Sequence, residues 1–205
     1  MLKLSEIKKT FGEKTVLDGA SLLVKKGECA VIYGMSGCGK TTLLRIAAGL
    51  EKKDGGTVEK DGTAAFVFAE ARLFPTATAL ENVTMVMRGD RRAAKSRALE
   101  ILRAFGLENA EGLYPRELST GMAARVSLAR AVAYNADVYL MDEPFKSLDG
   151  EIKQTVVSFL REFLSDKAAL IISHDRTEAE LMGAEVYWMA DGRLQRRTDA
   201  LLNEA

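Results

Sequence analysis

The 205-residue sequence predicts an α/β fold with a mainly parallel core sheet, an antiparallel β flank and an inserted α-helical subdomain. Nearly continuous apolar runs of strand length lie at residues 28–33, 138–141 and 168–173, the pattern of strands covered on both faces. Helical periodicity separates these runs, and alternation of strand with helix implies a parallel sheet.

In chain order, residues 1–8 alternate polar and apolar, 16–17 form a brief strand, and 21–25 lead to a turn at Lys26-Gly27; short strands of this kind suggest the antiparallel flank. The run 28–33 passes into Gly34 and a helix over 40–48, which Gly49 should stop. Asp61-Gly62 predicts a tight hairpin turn between strands 57–60 and 63–68, because this dipeptide accepts positive φ. From 79 to 134 the chain reads as helical, with Ala94, Ala98, Ile101, Leu102 and Phe105 on one stripe and Arg91, Arg92, Lys95, Arg97 and Arg103 largely off it. A later helix carries the stripe Ile152, Val156, Phe159, Leu160 and Phe163, and a second hairpin over 185–196 turns at Asp191-Gly192 before nine last residues. We therefore expect one domain, with a core lobe of residues 1–68 and 135–205 and a helical lobe of 69–134.

Composition narrows the partners. With 29 basic and 29 acidic residues the formal net charge is zero, so no electrostatic argument supports binding to nucleic acid. The absence of an apolar run of about 18 residues excludes a helical bilayer span, and the N-terminus lacks the basic flank and apolar stretch of a secretory signal. A cytoplasmic location is expected. Cys29 and Cys38 have neither the number nor the spacing of a disulfide framework or zinc site and read as free thiols.

Gly34-Met35-Ser36-Gly37-Cys38-Gly39-Lys40-Thr41, followed by Thr42, matches G-x-x-x-x-G-K-[ST] between an apolar strand and an amphipathic helix. Glycines let the backbone curl with its N–H groups inward, and the helix N-terminus completes a cradle for anionic oxygens. Lys40 then reaches the β and γ phosphates of a nucleotide such as ATP, and the Thr41 hydroxyl suits Mg2+. A chance match in this length would arise on the order of once in a hundred sequences. The motif alone predicts nucleoside triphosphate binding on a P-loop NTPase fold and leaves kinases, GTPases, motor proteins and transporter ATPases all open.

Two further strand ends belong with the loop. Asp142-Glu143 follows the run 138–141, placing two carboxylates at the carboxyl end of a parallel strand, where such sheets bind ligands. Asp142 suits a magnesium contact, while Glu143 suits a base for the attacking water. His174, the only histidine, follows 168–173 and should share that edge. A lone histidine at a strand end is more often a satisfied polar group; its position favours function.

Over essentially the whole chain these residues resemble the ABC-type ATPase family. Phe11 resembles the aromatic residue that stacks on adenine, residues 34–41 the Walker A motif, and Leu118-Ser119-Thr120-Gly121-Met122 the signature L-S-G-G-Q. Asp142 and Glu143 are similar to the Walker B aspartate and catalytic glutamate, Ser147-Leu148-Asp149 to the D-loop, and His174 to the switch histidine. Arg72-Leu73-Phe74-Pro75, Glu81-Asn82-Val83 and Tyr114-Pro115-Arg116-Glu117 are similar to prokaryotic importer ATPases, nearest to sulfonate, taurine and nitrate types. The resemblance implies an ATPase energising transport through separate membrane-spanning permease subunits, held at the inner face of the membrane. It also implies a head-to-tail homodimer on ATP binding, in which Ser119 and Gly121 of one copy close on the nucleotide of the other. A soluble ATPase of this type without membrane partner, or an ATP sensor, are the alternatives. The apolar residues Leu73, Phe74, Leu80, Val83, Met85, Val86 and Met87 are expected to divide between permease docking and core packing.

The sequence departs from the family pattern at two places. Ala69 stands where the family has a magnesium-ligating glutamine, and Thr120 replaces the first signature glycine. A methyl group cannot ligate a cation, so weakened hydrolysis or coupling is expected.

Overall fold

A computed structural model describes residues 1–148 and 150–197. A three-stranded antiparallel sheet of order β2-β1-β4 is formed by β1 (Leu2–Phe11), β2 (Lys14–Val24) and β4 (Gly55–Lys60). The core sheet has six strands: β3 (Cys29–Gly34), β5 (Ala64–Val67), β6 (Val138–Asp142), β7 (Ala168–Ile172), β8 (Glu185–Ala190) and β9 (Arg193–Arg197). Their order is β5-β6-β7-β3-β8-β9, parallel throughout except for the β8–β9 pair.

Period-two alternation sorts the central strands between two cores. Ala30 and Ile32 of β3, Val138 and Leu140 of β6, and Ala168, Leu170 and Ile172 of β7 face one cluster, which also holds Leu43, Leu44, Ile46 and Ala47 of α1 (Lys40–Ala48) and the buried side chains of β1 and β2. The intervening Val31, Tyr33, Tyr139, Met141, Ala169 and Ile171 face the other. Both faces are covered, which is why these strands read as unbroken apolar runs.

The second cluster takes in α2 (Ala79–Thr84), α3 (Arg91–Ala104), α4 (Thr120–Tyr134), α5 (Gly150–Phe163) and α6 (Arg176–Met182). Ala98, Ile101, Leu102 and Phe105 of the expected stripe are buried in it. Helices α2 to α4 therefore share the core of the sheet instead of enclosing one of their own. Their entries are well capped: Thr78 and Glu81 form a reciprocal capping box at α2, Asp90 caps α3 and Ser119 caps α4.

The expected hairpin at Asp61-Gly62 is not formed. β4 pairs antiparallel with β1, whereas β5 pairs parallel with β6, so the dipeptide carries the chain from one sheet to the other. Tertiary contacts override the local turn signal: the Asp137 carboxylate accepts from the Thr63 backbone N–H at 2.8 Å and from its hydroxyl at 3.1 Å, while Ala65 and Val67 are buried. Asp191-Gly192 does close the β8–β9 hairpin, with φ of 48° and 73°. The short strands expected at 1–8, 16–17 and 21–25 prove to be two long ones joined with register shifts. The last residues beyond 197, and Asp149 of the expected D-loop, lie outside the described residues.

Candidate functional site

The strand order puts β7 between β6 and β3, so the carboxyl ends of three parallel strands lie side by side. From them come the loop 34–41, the Asp142-Glu143 pair and His174. Phe11, Ser36, Gly37, Gly39, Lys40, Thr41, Thr42, Glu143 and His174 line one open cavity of about 400 Å³. Gly34, Met35 and Cys38 belong to the same loop, where Met35 is exposed.

Glycine is required at Gly39, whose φ is 109° and whose added Cβ would lie 2.9 Å from Val16 Cγ1 and 3.0 Å from the Val16 carbonyl oxygen. It sits at the N-cap of α1 without a capping side chain, which leaves the first N–H groups of α1 available to an anion. Lys40 is buried, and its ammonium donates to the carbonyls of Gly34 at 2.8 Å and Met35 at 2.9 Å and approaches Cys38 Sγ at 3.8 Å. The cation thus closes the loop upon itself. Burial pushes the Cys29 thiol at the start of β3 up to about 12, which keeps it unreactive.

Thr41 Oγ1 donates to Asp142 Oδ1 at 3.4 Å. Asp142 is buried, and burial raises its carboxyl above the ordinary value; the Thr41 hydroxyl opposes this and the neighbouring Glu143 charge adds to it. A buried carboxylate beside a hydroxyl offers hard oxygen donors, a set that fits Mg2+.

Glu143 adopts φ of 47°, an uncommon conformation for a residue with a side chain. Its N–H donates to Ile172 O at 3.0 Å, tying the end of β6 to the end of β7. The carboxylate is engaged at both oxygens, by His174 Nε2 at 2.9 Å on Oε1 and by Lys146 Nζ at 3.0 Å on Oε2.

The His174 loop is held from behind. Ser173 Oγ donates to Glu178 Oε2 at 2.6 Å, and Lys153 of α5 bonds Glu178 at 2.6 Å and Asp175 at 2.7 Å. The Lys153 ammonium, then the Thr177 hydroxyl and N–H, hold the Asp175 carboxyl down to about 2. Neither this network nor Lys146 is evident from sequence, since each joins residues by tertiary approach; only the three-residue spacing of Glu143 and Lys146 hints at a pair.

Ser119 and Gly121 stand apart from the cavity. Ser119 is exposed and its hydroxyl accepts from the Met122 N–H at 3.2 Å. At Gly121 an added Cβ would meet the Ser147 carbonyl oxygen at 2.8 Å, so close packing of α4 on that loop demands glycine there. Ala69 is exposed, and shares a small cavity with Phe68, Ser127, Glu143 and Ser147. Of the expected docking residues, Phe74 and Met85 are exposed, Val83 is fully buried, and Leu73, Leu80 and Met87 pack partly on the core. Phe11 is 48% exposed, with Lys9 Nζ 4.7 Å from its ring centre, which weighs against a mere packing role.

Fold and cavity together define a P-loop nucleotide-binding protein. The family model described as ABC transporter matches residues 17–146, and the chain belongs to this family. It is similar to an aliphatic sulfonates import ATP-binding protein of Shouchella clausii, 35% identical over 97% of this chain and 81% of that protein. A probable sulfate/thiosulfate import ATP-binding protein of Chlorella vulgaris is 37% identical over 93% of this chain and 88% of that protein. Among solved structures, the dimeric post-hydrolysis state of an ATP-binding cassette bound to ADP and Pi is 30% identical, with a TM-score of 0.88 over 97% of this chain and 98% of that one. Among the described residues no helix is long and apolar enough to cross a membrane.

Proposed function

We propose that this chain is the ATP-hydrolysing subunit of an importer, energising transport through separate membrane-spanning subunits and working as a pair of copies. The import ATP-binding proteins to which it is similar and the dimeric cassette it matches support this reading. ATP enters with adenine over the exposed face of Phe11. Its phosphates lie on the backbone amides of residues 34–41 and the N-terminus of α1, and Lys40 exchanges its carbonyl partners for phosphate oxygens. Thr41 and Asp142 would hold Mg2+, which would supply neutralisation of the phosphate charge.

Glu143 orients the attacking water and takes its proton, while His174 fixes the carboxylate through Oε1 and faces the terminal phosphate. The signature helix α4 of the second copy, entered through Ser119 and Gly121, closes the far side with its positive end. The core lobe, residues 1–68 and 135–205, carries the catalytic parts. The helical lobe, residues 69–134, transmits closure to the permease through exposed Phe74 and Met85, which places the pair on the inner face of the membrane.

The observation that carries this reading is the 2.9 Å contact of His174 with Glu143 on the wall of the cavity floored by Lys40 and Thr41. Glu143→Gln should lower steady-state hydrolysis by about 10²–10⁴-fold while ATP still binds. Hydrolysis at the unaltered rate would remove Glu143 from the chemistry.

A further inference from the structure

The phosphate-loop cavity adjoins a second one, lined in part by Ser36, Glu143, Lys146 and His174. Ser36, Glu143 and His174 line both, so they form the wall between the two, and Lys146 lies behind it. Its backbone is fixed in the turn after β6, with the Lys146 N–H on Glu143 O at 3.3 Å and the Leu148 N–H on Phe145 O at 3.0 Å. Fully buried Phe145 anchors that turn. The Lys146 side chain is 70% exposed and its charged end meets Glu143 Oε2 at 3.0 Å.

An exposed lysine paired three residues away normally contributes little. Here its partner is the carboxylate assigned to activate water, already bonded through Oε1 to His174. The two partners of Glu143 differ in freedom. His174 belongs to a loop secured by Ser173, Glu178, Asp175 and Lys153; the Lys146 ammonium ends a flexible, exposed stem. When a terminal phosphate arrives beside Glu143, it brings more negative charge than one carboxylate, and the ammonium that can move is that of Lys146.

We propose that Lys146 is a transferable cation: without nucleotide it occupies Glu143 Oε2, and on ATP binding it passes to an oxygen of the terminal phosphate, freeing Glu143 Oε2 for water. The inference rests on the reading of Glu143 given above. It makes Lys146 a residue that distinguishes a nucleoside triphosphate from a diphosphate, since only the triphosphate reaches the wall.

Affinities for fluorescent analogues of ATP and ADP test it, measured on the full chain with magnesium at concentrations where sedimentation shows a monomer. In the wild-type background, Lys146→Ala should weaken ATP by about threefold, because the bond that Lys146 makes to phosphate is offset by the one it gives up to the carboxylate. In a Glu143→Gln background there is no carboxylate bond to give up, so the same substitution should weaken ATP by about tenfold. ADP affinity should stay within twofold in every variant, and Lys146→Arg should retain most of the preference for ATP. Equal losses for ATP and ADP, or equal losses in the two backgrounds, would overturn the transfer of Lys146 even if Glu143→Gln abolishes hydrolysis. Undiminished hydrolysis in Glu143→Gln would instead overturn the reading of the site itself.

Discussion

The phosphate loop enters α1 through Gly39 and Ser119 enters α4, whose second residue is Gly121, but the two helix starts are finished to different degrees. Lys40 is buried in its own loop, bonded to two of its carbonyls, with Thr41 on Asp142 and Glu143 and His174 on the same wall. Ser119 is exposed, caps only its own helix and touches none of that cavity. A helix N-terminus that is capped but faces no ligand of its own is suited to a ligand brought by another molecule. On the proposed function, the difference makes the phosphate loop one half-site and the start of α4 the complementary half for another copy, so that turnover would belong to the pair.

Lys40→Ala attacks the finished half and should weaken ATP binding by a single chain about 100-fold, read by titration. Loss of turnover with undiminished affinity would show that the loop binds through its amides alone.

Mixing sharpens the comparison. Ser119→Ala should leave single-chain affinity within twofold but lower turnover about tenfold. Combined in equal amounts with Glu143→Gln chains, it should recover roughly a quarter of wild-type activity, because half the pairs are mixed and each restores one of two sites. No recovery would mean that both halves act within one chain.

The support behind His174 separates local from global effects. Lys153→Met removes the ammonium bonded to buried Glu178 and should cost about 3 kcal/mol in urea unfolding. Asp175 adds a pH dependence: its folded pKa lies near 2, below the ordinary 3.8, so its stabilising effect is present above about pH 4 and lost as pH falls toward 2. Its side chain is 44% exposed, so after solvent screening the stability gap between wild type and Asp175→Asn should be on the order of 1 kcal/mol at neutral pH and close over that window.

Ala69→Gln should have the smallest effect, raising turnover or its magnesium sensitivity about threefold through a donor restored beside the cavity it shares with Glu143. No change in either would show that the departure at Ala69 is neutral.

Much of this arrangement was legible from residue order. The apolar runs at 28–33, 138–141 and 168–173 gave the central strands because burial on both faces leaves no alternation to misread, and the loop 34–41 announced itself through the glycines and lysine that a phosphate cradle requires. The Asp-Gly pairs at 61–62 and 191–192, both expected to turn a hairpin, mark the limit. Both have the same local preference, yet only Asp191-Gly192 makes a hairpin, because Asp137 and the edge of β6 claim the strand that follows Asp61-Gly62.

Backbone preference and hydrophobic period, both short-ranged, thus determined the strands, the helices and the phosphate loop. Only tertiary structure decided that β7 lies between β6 and β3, that Lys153 secures the His174 loop, and that Lys146 and His174 share the carboxylate of Glu143. Those contacts depend on which elements meet across the sheet, and spacing along the chain does not encode that meeting.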